Sequence, residues 1–198
     1  MLHKLKQFFA PEQKRSAAAP LIALHTAGRA VWTPKNYASL AREGFAGNPI
    51  GYRAIRMISE GAASIPWLAY EGETEVVSHR LLDLLKAPNP GQPGREFFES
   101  LYGFLMVAGN AYAEKVEVDG EARELFALRP DRVKAIASPN GWPEAYEYSV
   151  NGQSVRLARE NVLHLKLFNP LNDHYGMSPL EPASRARRAW NREPDRID

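Results

Sequence analysis

The serine of Gly176-Met177-Ser178-Pro179-Leu180 lies in the strongest candidate for a catalytic motif. The stretch matches the glycine-x-serine-x-glycine elbow of a nucleophilic serine except at its last position. Proline follows the serine and lacks the N–H that this position must donate to an oxyanion hole. The same residues fit a capping box, because Ser178 would cap a helix, Pro179 suits its first position and Glu181 follows three residues after the cap. We therefore interpret Ser178 as a helix cap.

Three polar residues, His164, Asp173 and His174, could ligate a metal, since imidazole and carboxylate groups suit zinc or manganese. Their spacing matches no metal-binding motif. We interpret His164 as a strand residue whose ring nitrogens find backbone partners, and Asp173 and His174 as part of a polar loop. A metal-dependent hydrolase built on these three residues stays open as an alternative.

Two other groups of residues could do chemistry. Glu71, Glu73 and Glu75 lie in a short polar stretch that is typical of a solvated turn. Five aromatic residues lie in or beside one predicted helix and could form a base-stacking platform: Phe97, Phe98, Tyr102, Phe104 and Tyr112. Their helical spacing favours core or subunit packing instead.

Motifs for nucleotide and metal chemistry are absent from the sequence. It contains no glycine-rich phosphate loop, no H-E-x-x-H and no dinucleotide fingerprint after a strand. It has no cysteine, which excludes disulfides and thiolate metal sites. We predict that the protein has no catalytic residue, no metal and no cofactor, and that it is not an enzyme.

The formal charge of +2 is distributed unevenly along the 198 residues. Basic residues crowd both ends: Lys4, Lys6, Lys14 and Arg15, then Arg185, Arg187, Arg188, Arg192 and Arg196. A small nucleic-acid-binding or regulatory module that uses these ends is therefore a second alternative. Neither a signal peptide nor a run of about 18 apolar residues occurs, so we expect no secretion and no membrane span.

Helices are predicted in the first half of the chain. Asn48 and Pro49 are typical of a helix start, and Pro66 would end that helix. An apolar stripe follows the cap at helical spacing: Ile50, Ala54, Met57, Ile58 and Ala62. A short strand pair at 67–70 and 74–77, a brief helix that Ser78 starts, and the break at Pro88, Asn89 and Pro90 come next. Phe97, Leu101, Leu105 and Ala108 mark a second long helix that ends at Gly109.

Strands are predicted in the second half. Asp119-Gly120 and Asn151-Gly152 each separate two alternating segments, which indicates two tight hairpins. The alternation in 162–167 indicates one more strand with a leucine face. Helices followed by an antiparallel sheet place the chain in the α+β class. We expect an extended or mobile arm over 1–44, a folded domain over 45–182 and a basic tail over 183–198.

Residues from about 46 to 181 resemble the portal proteins of long-tailed phages. The resemblance rests on the following positions: Asn48, Pro66, Pro88, Asn89, Pro90, Gly109, Asn110, Tyr112, Pro130, Arg132, His164, Gly176, Ser178 and Pro179. The stretches WTPKNYASLAREG, REFFESLYG, RPDRVK, GWPEAYEY and LFNPLNDHYGMSPLE are more similar still to the portal of gene transfer agents from alphaproteobacteria. With them the resemblance extends back to about Val31.

This resemblance implies a structural subunit without catalytic residues. Such portals form a ring, usually of twelve subunits, that assembles in the bacterial cytoplasm and occupies one vertex of the capsid. The ring contacts the major capsid protein, the terminase motor and the head-tail adaptor, and double-stranded DNA passes through it without sequence specificity.

In the resembled family a second half follows Glu181 and supplies the stem and the clip. Pro182 and the arginine-rich end do not look like that continuation. We therefore expect a truncated form that corresponds to the outer wing of the portal, folds around residues 46–181 and does not close into a stable ring by itself.

Overall fold

A computed structural model describes residues 37–139 and 141–183. Helices cover one face of a three-stranded antiparallel sheet, and a second three-stranded antiparallel sheet packs against the other face. This arrangement confirms the α+β class and the predicted packing of N-terminal helices on hairpins. None of the helices within the described ranges is long and apolar enough to cross a membrane.

The first described element is helix α1, Tyr37–Ser39, which continues as a π-helix over Leu40–Ala46. Leu40 is buried and packs with Ile55, Val107 and Leu180. The prediction of an extended arm is therefore wrong for residues 37–44, and residues 1–36 lie outside the described part. A segment this short gains its helical stability from tertiary packing, which local periodicity does not reveal.

Helix α2 spans Pro49–Ala63 and begins as predicted. The Asn48 Oδ1 atom accepts hydrogen bonds from the N–H groups of Ile50 at 3.1 Å and Gly51 at 3.2 Å, which satisfies two free donors of the first turn. The buried residues of α2 are Ile55 and Ser59, and neither belongs to the apolar stripe seen in the sequence. Ile50, at 83 % exposure, belongs to the outer face of the helix.

The segment after α2 forms a two-stranded hairpin, with β1 at Tyr70–Glu71 and β2 at Thr74–Glu75, and both strands are exposed. Helix α3 follows at Arg80–Lys86. His79 caps α3 in place of the predicted Ser78, since its Nδ1 atom accepts a hydrogen bond from the N–H of Leu81. Sequence alone favours serine as a cap, but the local backbone direction decides which side chain reaches the free donor.

Helix α4 spans Gly94–Ala108 and ends where predicted. Gly109 follows it with φ 73°, a left-handed conformation in which its N–H donates to the carbonyl of Leu105. The turn leads directly into strand β3, Asn110–Val118, which packs against α4.

The central sheet has the order β4-β3-β8, with β3 at Asn110–Val118, β4 at Glu121–Leu128 and β8 at Val162–Lys166. The second sheet has the order β5-β6-β7, with β5 at Val133–Ala137, β6 at Pro143–Val150 and β7 at Gln153–Ala158. Strand β5 was not predicted, although Pro130-Asp131 before it and Ser138-Pro139-Asn140-Gly141 after it are turn signals that set its five residues apart. Both predicted hairpins are confirmed, with positive φ at Asp119, Gly120, Asn151 and Gly152.

Successive side chains of β3 point to opposite faces of the central sheet, so they pack in two separate core layers. Ala111 and Ala113 face α4 and pack with Phe97, Phe98 and Leu101. Tyr112 points to the other side and packs in the cluster between the two sheets. These contacts confirm the core role predicted for Phe97, Phe98 and Tyr112.

Candidate functional site

The predicted motif residues Gly109, Asn110, His164, Gly176 and Ser178 meet at one place, although they lie up to 69 positions apart in the sequence. The end of α4, the start of β3, the end of β8 and the loop that leads to Leu180 come together there. We refer to this place as the junction. The sequence analysis identified these five residues individually but did not predict that they lie close together.

Asn110 is the centre of the junction and is fully buried. Its Nδ2 group donates to the carbonyl oxygens of Ala108 at 3.0 Å and Gly176 at 3.2 Å. Its Oδ1 atom accepts from the N–H of Gly176 at 2.8 Å and from His164 Nε2 at 3.0 Å. These four bonds use the full capacity of the amide, so no polar atom of this buried side chain is left unpaired.

His164 completes the network from β8. Because Asn110 Oδ1 is an acceptor, His164 Nε2 carries the hydrogen, and Nδ1 accepts from the hydroxyl of Tyr146, 3.4 Å away. The partners of the ring are therefore two side chains, and the predicted backbone partners are wrong. The ring also stacks on Tyr112 with 4.2 Å between centroids.

Burial is the main reason why the pKa of His164 falls to about 4, and the positive charges of Lys166 and His174 lower it further. Burial also raises the pKa values of Tyr146 and Tyr112, which face the ring from β6 and β3. His164 and these two tyrosines are consequently uncharged near pH 7, and the imidazole is a fixed hydrogen-bonding unit in its uncharged form.

Two glycines allow the backbones at the junction to touch. A Cβ atom at Gly176 would lie 2.0 Å from the carbonyl oxygen of Gly109 and 2.7 Å from the nitrogen of Leu167. That carbonyl oxygen already accepts a hydrogen bond from the N–H of Leu167 at 2.8 Å. Any other residue at position 176 would have to displace the main chain at Gly109 and Leu167.

Ser178 joins the junction to helix α4. Its hydroxyl donates to the carbonyl of Met106 at 3.1 Å and accepts from the N–H of Leu180 at 3.0 Å, where the last described helix begins. The predicted role as a helix cap is confirmed. The hydroxyl is fully buried and bonds to main-chain groups, an arrangement that contains no base to activate a nucleophile.

Tyr175 is a junction residue that the sequence analysis missed. It is 1 % exposed, and its hydroxyl accepts a hydrogen bond from the N–H of Ala135 at 2.9 Å, which ties the loop to β5. Asn169 donates to its carbonyl, and Asn172 accepts from its N–H. A sequence signal for Tyr175 is that an aromatic residue directly precedes Gly176. Its contact with Ala135 could not be predicted, because the sequence analysis did not predict β5.

The remaining motif positions lie outside the junction, at helix ends and turns. Asn48 and Pro66 flank α2, and Pro179 is exposed directly before the helix that Ser178 caps. Asn89, between Pro88 and Pro90, donates to the carbonyl of Leu125 at 2.9 Å and so attaches the α3–α4 turn to β4. Pro130 is buried and opens a single 3₁₀ turn that Arg132 closes before β5.

The alternative of a metal site has no geometric support at the residues proposed for it. Both ring nitrogens of His164 already take part in the network with Asn110 and Tyr146, and Asp173 is exposed in the loop. Within 37–139 and 141–183 no three histidine, aspartate or glutamate side chains cluster so that they could hold a metal ion. The glutamates Glu71 and Glu75 lie in the exposed β1–β2 hairpin, as predicted for a solvated turn.

Comparison with known proteins assigns this arrangement to a family. The family model for phage portal proteins matches residues 49–189. A protein of Rickettsia bellii is 35 % identical over 147 residues, and a protein of Rickettsia felis is 35 % identical over 150 residues. These matches cover 69 % and 72 % of the chain but only 37 % and 38 % of the two relatives.

Solved structures of gene transfer agent particles contain a similar chain. In the neck of an empty particle, computed with C6 symmetry, that chain is 38 % identical with a TM-score of 0.78. In the neck of a native particle, computed with C12 symmetry, it is 37 % identical with a TM-score of 0.74. The matches cover 89 % of this chain and 50 % of the other, so the chain spans half the length of its structural relatives. The match of the family model over residues 49–189 shows that the chain belongs to the phage portal protein family.

Proposed function

We propose that this chain is a portal subunit of a phage-like particle, of the gene transfer agent or prophage type. The observation that carries the proposal is the match of 89 % of the chain, at 37 % identity, to a chain in the neck of a native gene transfer agent particle. Identity at this level together with a TM-score of 0.74 relates the two chains by sequence and by shape.

The role is structural rather than enzymatic. The polar side chains of Asn110, His164 and Ser178 bond within the protein and hold four segments together, whereas an active site would leave donors or acceptors for a substrate. Asn110 and Ser178 both have their polar atoms engaged within the protein. The work of moving DNA then falls to a separate motor.

The partners follow from the family. The chain would contact further copies of itself around the ring, the major capsid protein, the terminase motor and the head-tail adaptor, with double-stranded DNA passing through the ring without sequence specificity. Assembly would take place in the bacterial cytoplasm, and the final position would be the capsid vertex. The basic ends, on which the nucleic-acid-binding alternative depends, lie outside the described residues.

An antibody raised against the folded domain tests the proposal directly. Particles purified from the source bacterium should carry the label at one vertex each when viewed by immunogold electron microscopy. A chain that is abundant in the cells but missing from purified particles would contradict the proposal.

The absence of enzyme activity has its own test. The purified chain should neither hydrolyse ATP nor cut DNA, because phosphoryl transfer needs phosphate and metal ligands that the sequence lacks. Turnover that is lost in His164→Gln or Asp173→Asn would contradict a structural role and favour the hydrolase.

A further inference from the structure

A cavity of about 250 Å³ opens between α1, α2 and α4. We refer to it as the three-helix cavity. Five apolar side chains form much of its wall: Ala41, Phe45, Ile55, Phe104 and Val107. A cavity of about 150 Å³ is enough to hold a benzene ring, so this one has room for a molecule of one or two fused rings.

The three-helix cavity is preformed, because its walls belong to the packed core. Ile55 and Val107 are buried in one cluster with Leu40, and Ala41 and Phe45 pack against that cluster. A cavity whose walls are already ordered loses little conformational entropy when a molecule enters it. Its shape therefore suits a binding role.

One polar group at the cavity is buried without a partner. Ser59 lines the cavity from α2 and is 2 % exposed, and its Oγ atom has no hydrogen-bond partner within the described part of the chain. A buried hydroxyl group nearly always has a partner, since the loss of its hydration otherwise costs free energy. A molecule with an N–H or O–H group would supply that partner.

Space for such a molecule lies directly beside this hydroxyl. Gly103 of α4 also lines the cavity, and a Cβ atom at Gly103 would have the Ser59 Oγ atom, 3.8 Å away, as its only neighbour from another described element within 4 Å. The missing side chain at position 103 therefore leaves the Ser59 hydroxyl open toward the cavity.

The charged residues that line the cavity already neutralise each other. Arg56 forms ion pairs with Glu60 and Glu99, and both Arg56 and Glu99 lie at the cavity. A charged molecule would meet one attractive and one repulsive group there, whereas a neutral molecule leaves the ion pair intact. The lining therefore favours a neutral molecule.

The wall that α1 contributes has an unusual backbone. Ala41 and Phe45 belong to the π-helix over Leu40–Ala46. A π-helical turn is rare and is found frequently at functional sites. This observation does not depend on the unpaired hydroxyl of Ser59, and it marks the same cavity.

We propose that the three-helix cavity binds a neutral aromatic molecule of one or two rings whose N–H or O–H group donates a hydrogen bond to Ser59. The apolar walls cover the rings, and the Ser59 hydroxyl selects for the polar group. This site goes beyond the proposed function, since it lies within one chain and needs no assembled ring of subunits.

Indole is the probe, and indene is its matched control, because indene has nearly the same shape but no N–H group. A heteronuclear NMR titration of the purified full-length chain measures both affinities and locates the amides that shift. We expect indole to bind with a dissociation constant on the order of 1 mM, with shifts confined to α1, α2 and α4. Indene should bind about fivefold more weakly, because it leaves the Ser59 hydroxyl unpaired.

Two variants test the contributions of the hydroxyl and of the space beside it. Ser59→Ala should remove the preference for indole over indene, and Ser100→Ala is its matched control, since Ser100 lines the cavity but is only half-buried. Gly103→Leu should fill the cavity and abolish the binding of both compounds, whereas Gly61→Leu, on the exposed face of α2, should not. Circular dichroism confirms that each variant is folded, and Ala41→Leu replaces Gly103→Leu if the latter unfolds.

Four results would overturn the inference: indole that causes no saturable shifts at these helices, a preference for indole that survives in Ser59→Ala, an equal loss of that preference in Ser100→Ala, or a filled cavity that binds indole like the wild type. None of these results would affect the proposed portal function, because the family match does not depend on the cavity.

Discussion

Lowering the pH should reduce the free energy of unfolding of this chain, because His164 is held uncharged in the folded state. The unfolded chain binds a proton at this histidine with a pKa of about 6.5, whereas burial lowers the pKa to about 4 in the folded chain. Between these two values the unfolded state binds more protons than the folded state. The free energy of unfolding therefore falls as the pH drops from about 6.5 toward about 4, and the contribution of His164 is fully present above that range.

The size of the effect follows from the two pKa values. Going from about pH 7.5 to about pH 5, the linkage relation gives a loss of about 2 kcal/mol for His164 alone, out of a limit of about 3.4 kcal/mol for a shift of about 2.5 units. For a single domain with a total stability of about 5–15 kcal/mol, this loss is easily measured by urea denaturation.

The variant His164→Gln isolates this contribution. Glutamine has no proton to gain in this range, while its amide keeps one donor for Asn110 and one acceptor for Tyr146. We expect the wild-type chain to lose about 2 kcal/mol more than the variant over the same pH interval. The other four histidines are present in both proteins, so their contributions cancel in the difference.

His79→Asn is the matched control. His79 is exposed and caps α3 through its ring nitrogen, and asparagine can supply the same acceptor to the N–H of Leu81. The loss of pH dependence should be larger in His164→Gln than in this control. Equal losses of stability in the wild-type chain and in His164→Gln would refute the reasoning.

Substitutions of three glycines test the backbone arguments. Gly176→Ala should lower the free energy of unfolding by more than about 2 kcal/mol, because the new Cβ would lie 2.0 Å from the carbonyl oxygen of Gly109; a urea midpoint close to the wild type would contradict this. Gly152→Val should cost about 1 kcal/mol or more, since φ is 80° there, and an unchanged melting temperature would count against the type I′ turn. Gly61→Ala is the opposite case: it lies in α2 with open space around it, so alanine should raise the stability by about 0.5–1 kcal/mol in the same assay.

Local chemistry along the chain was sufficient to predict the start of α2 and the turns of two hairpins. Asn48 caps α2 because its short side chain reaches the free donors of the next turn, and this requires only a few neighbouring residues. Asn151-Gly152 turns the chain because these two residues tolerate a positive φ. The resemblance to portal proteins also came from the sequence, and the family match over residues 49–189 confirms it.

The periodicity of apolar residues could not decide which side of helix α2 is buried. Helix α2 has apolar residues on two sides, so its period indicates a helix but does not tell which side meets α4. The structure places Ile55 inward and leaves Ile50 outside, although Ile50 belongs to the apolar stripe seen in the sequence. The choice depends on what the neighbouring helices offer, which is a property of the whole fold.

The sequence alone determined that this protein has two capped helices, glycine-turned hairpins and the motifs of a portal, because each of these depends on residues within a few positions of one another. Only the tertiary structure brought Asn110, His164 and Gly176 into one hydrogen-bonded junction, and only it showed Tyr175 fixed to β5. These contacts join residues 40 to 66 positions apart, and burial within the fold, rather than residue type, keeps the imidazole of His164 uncharged.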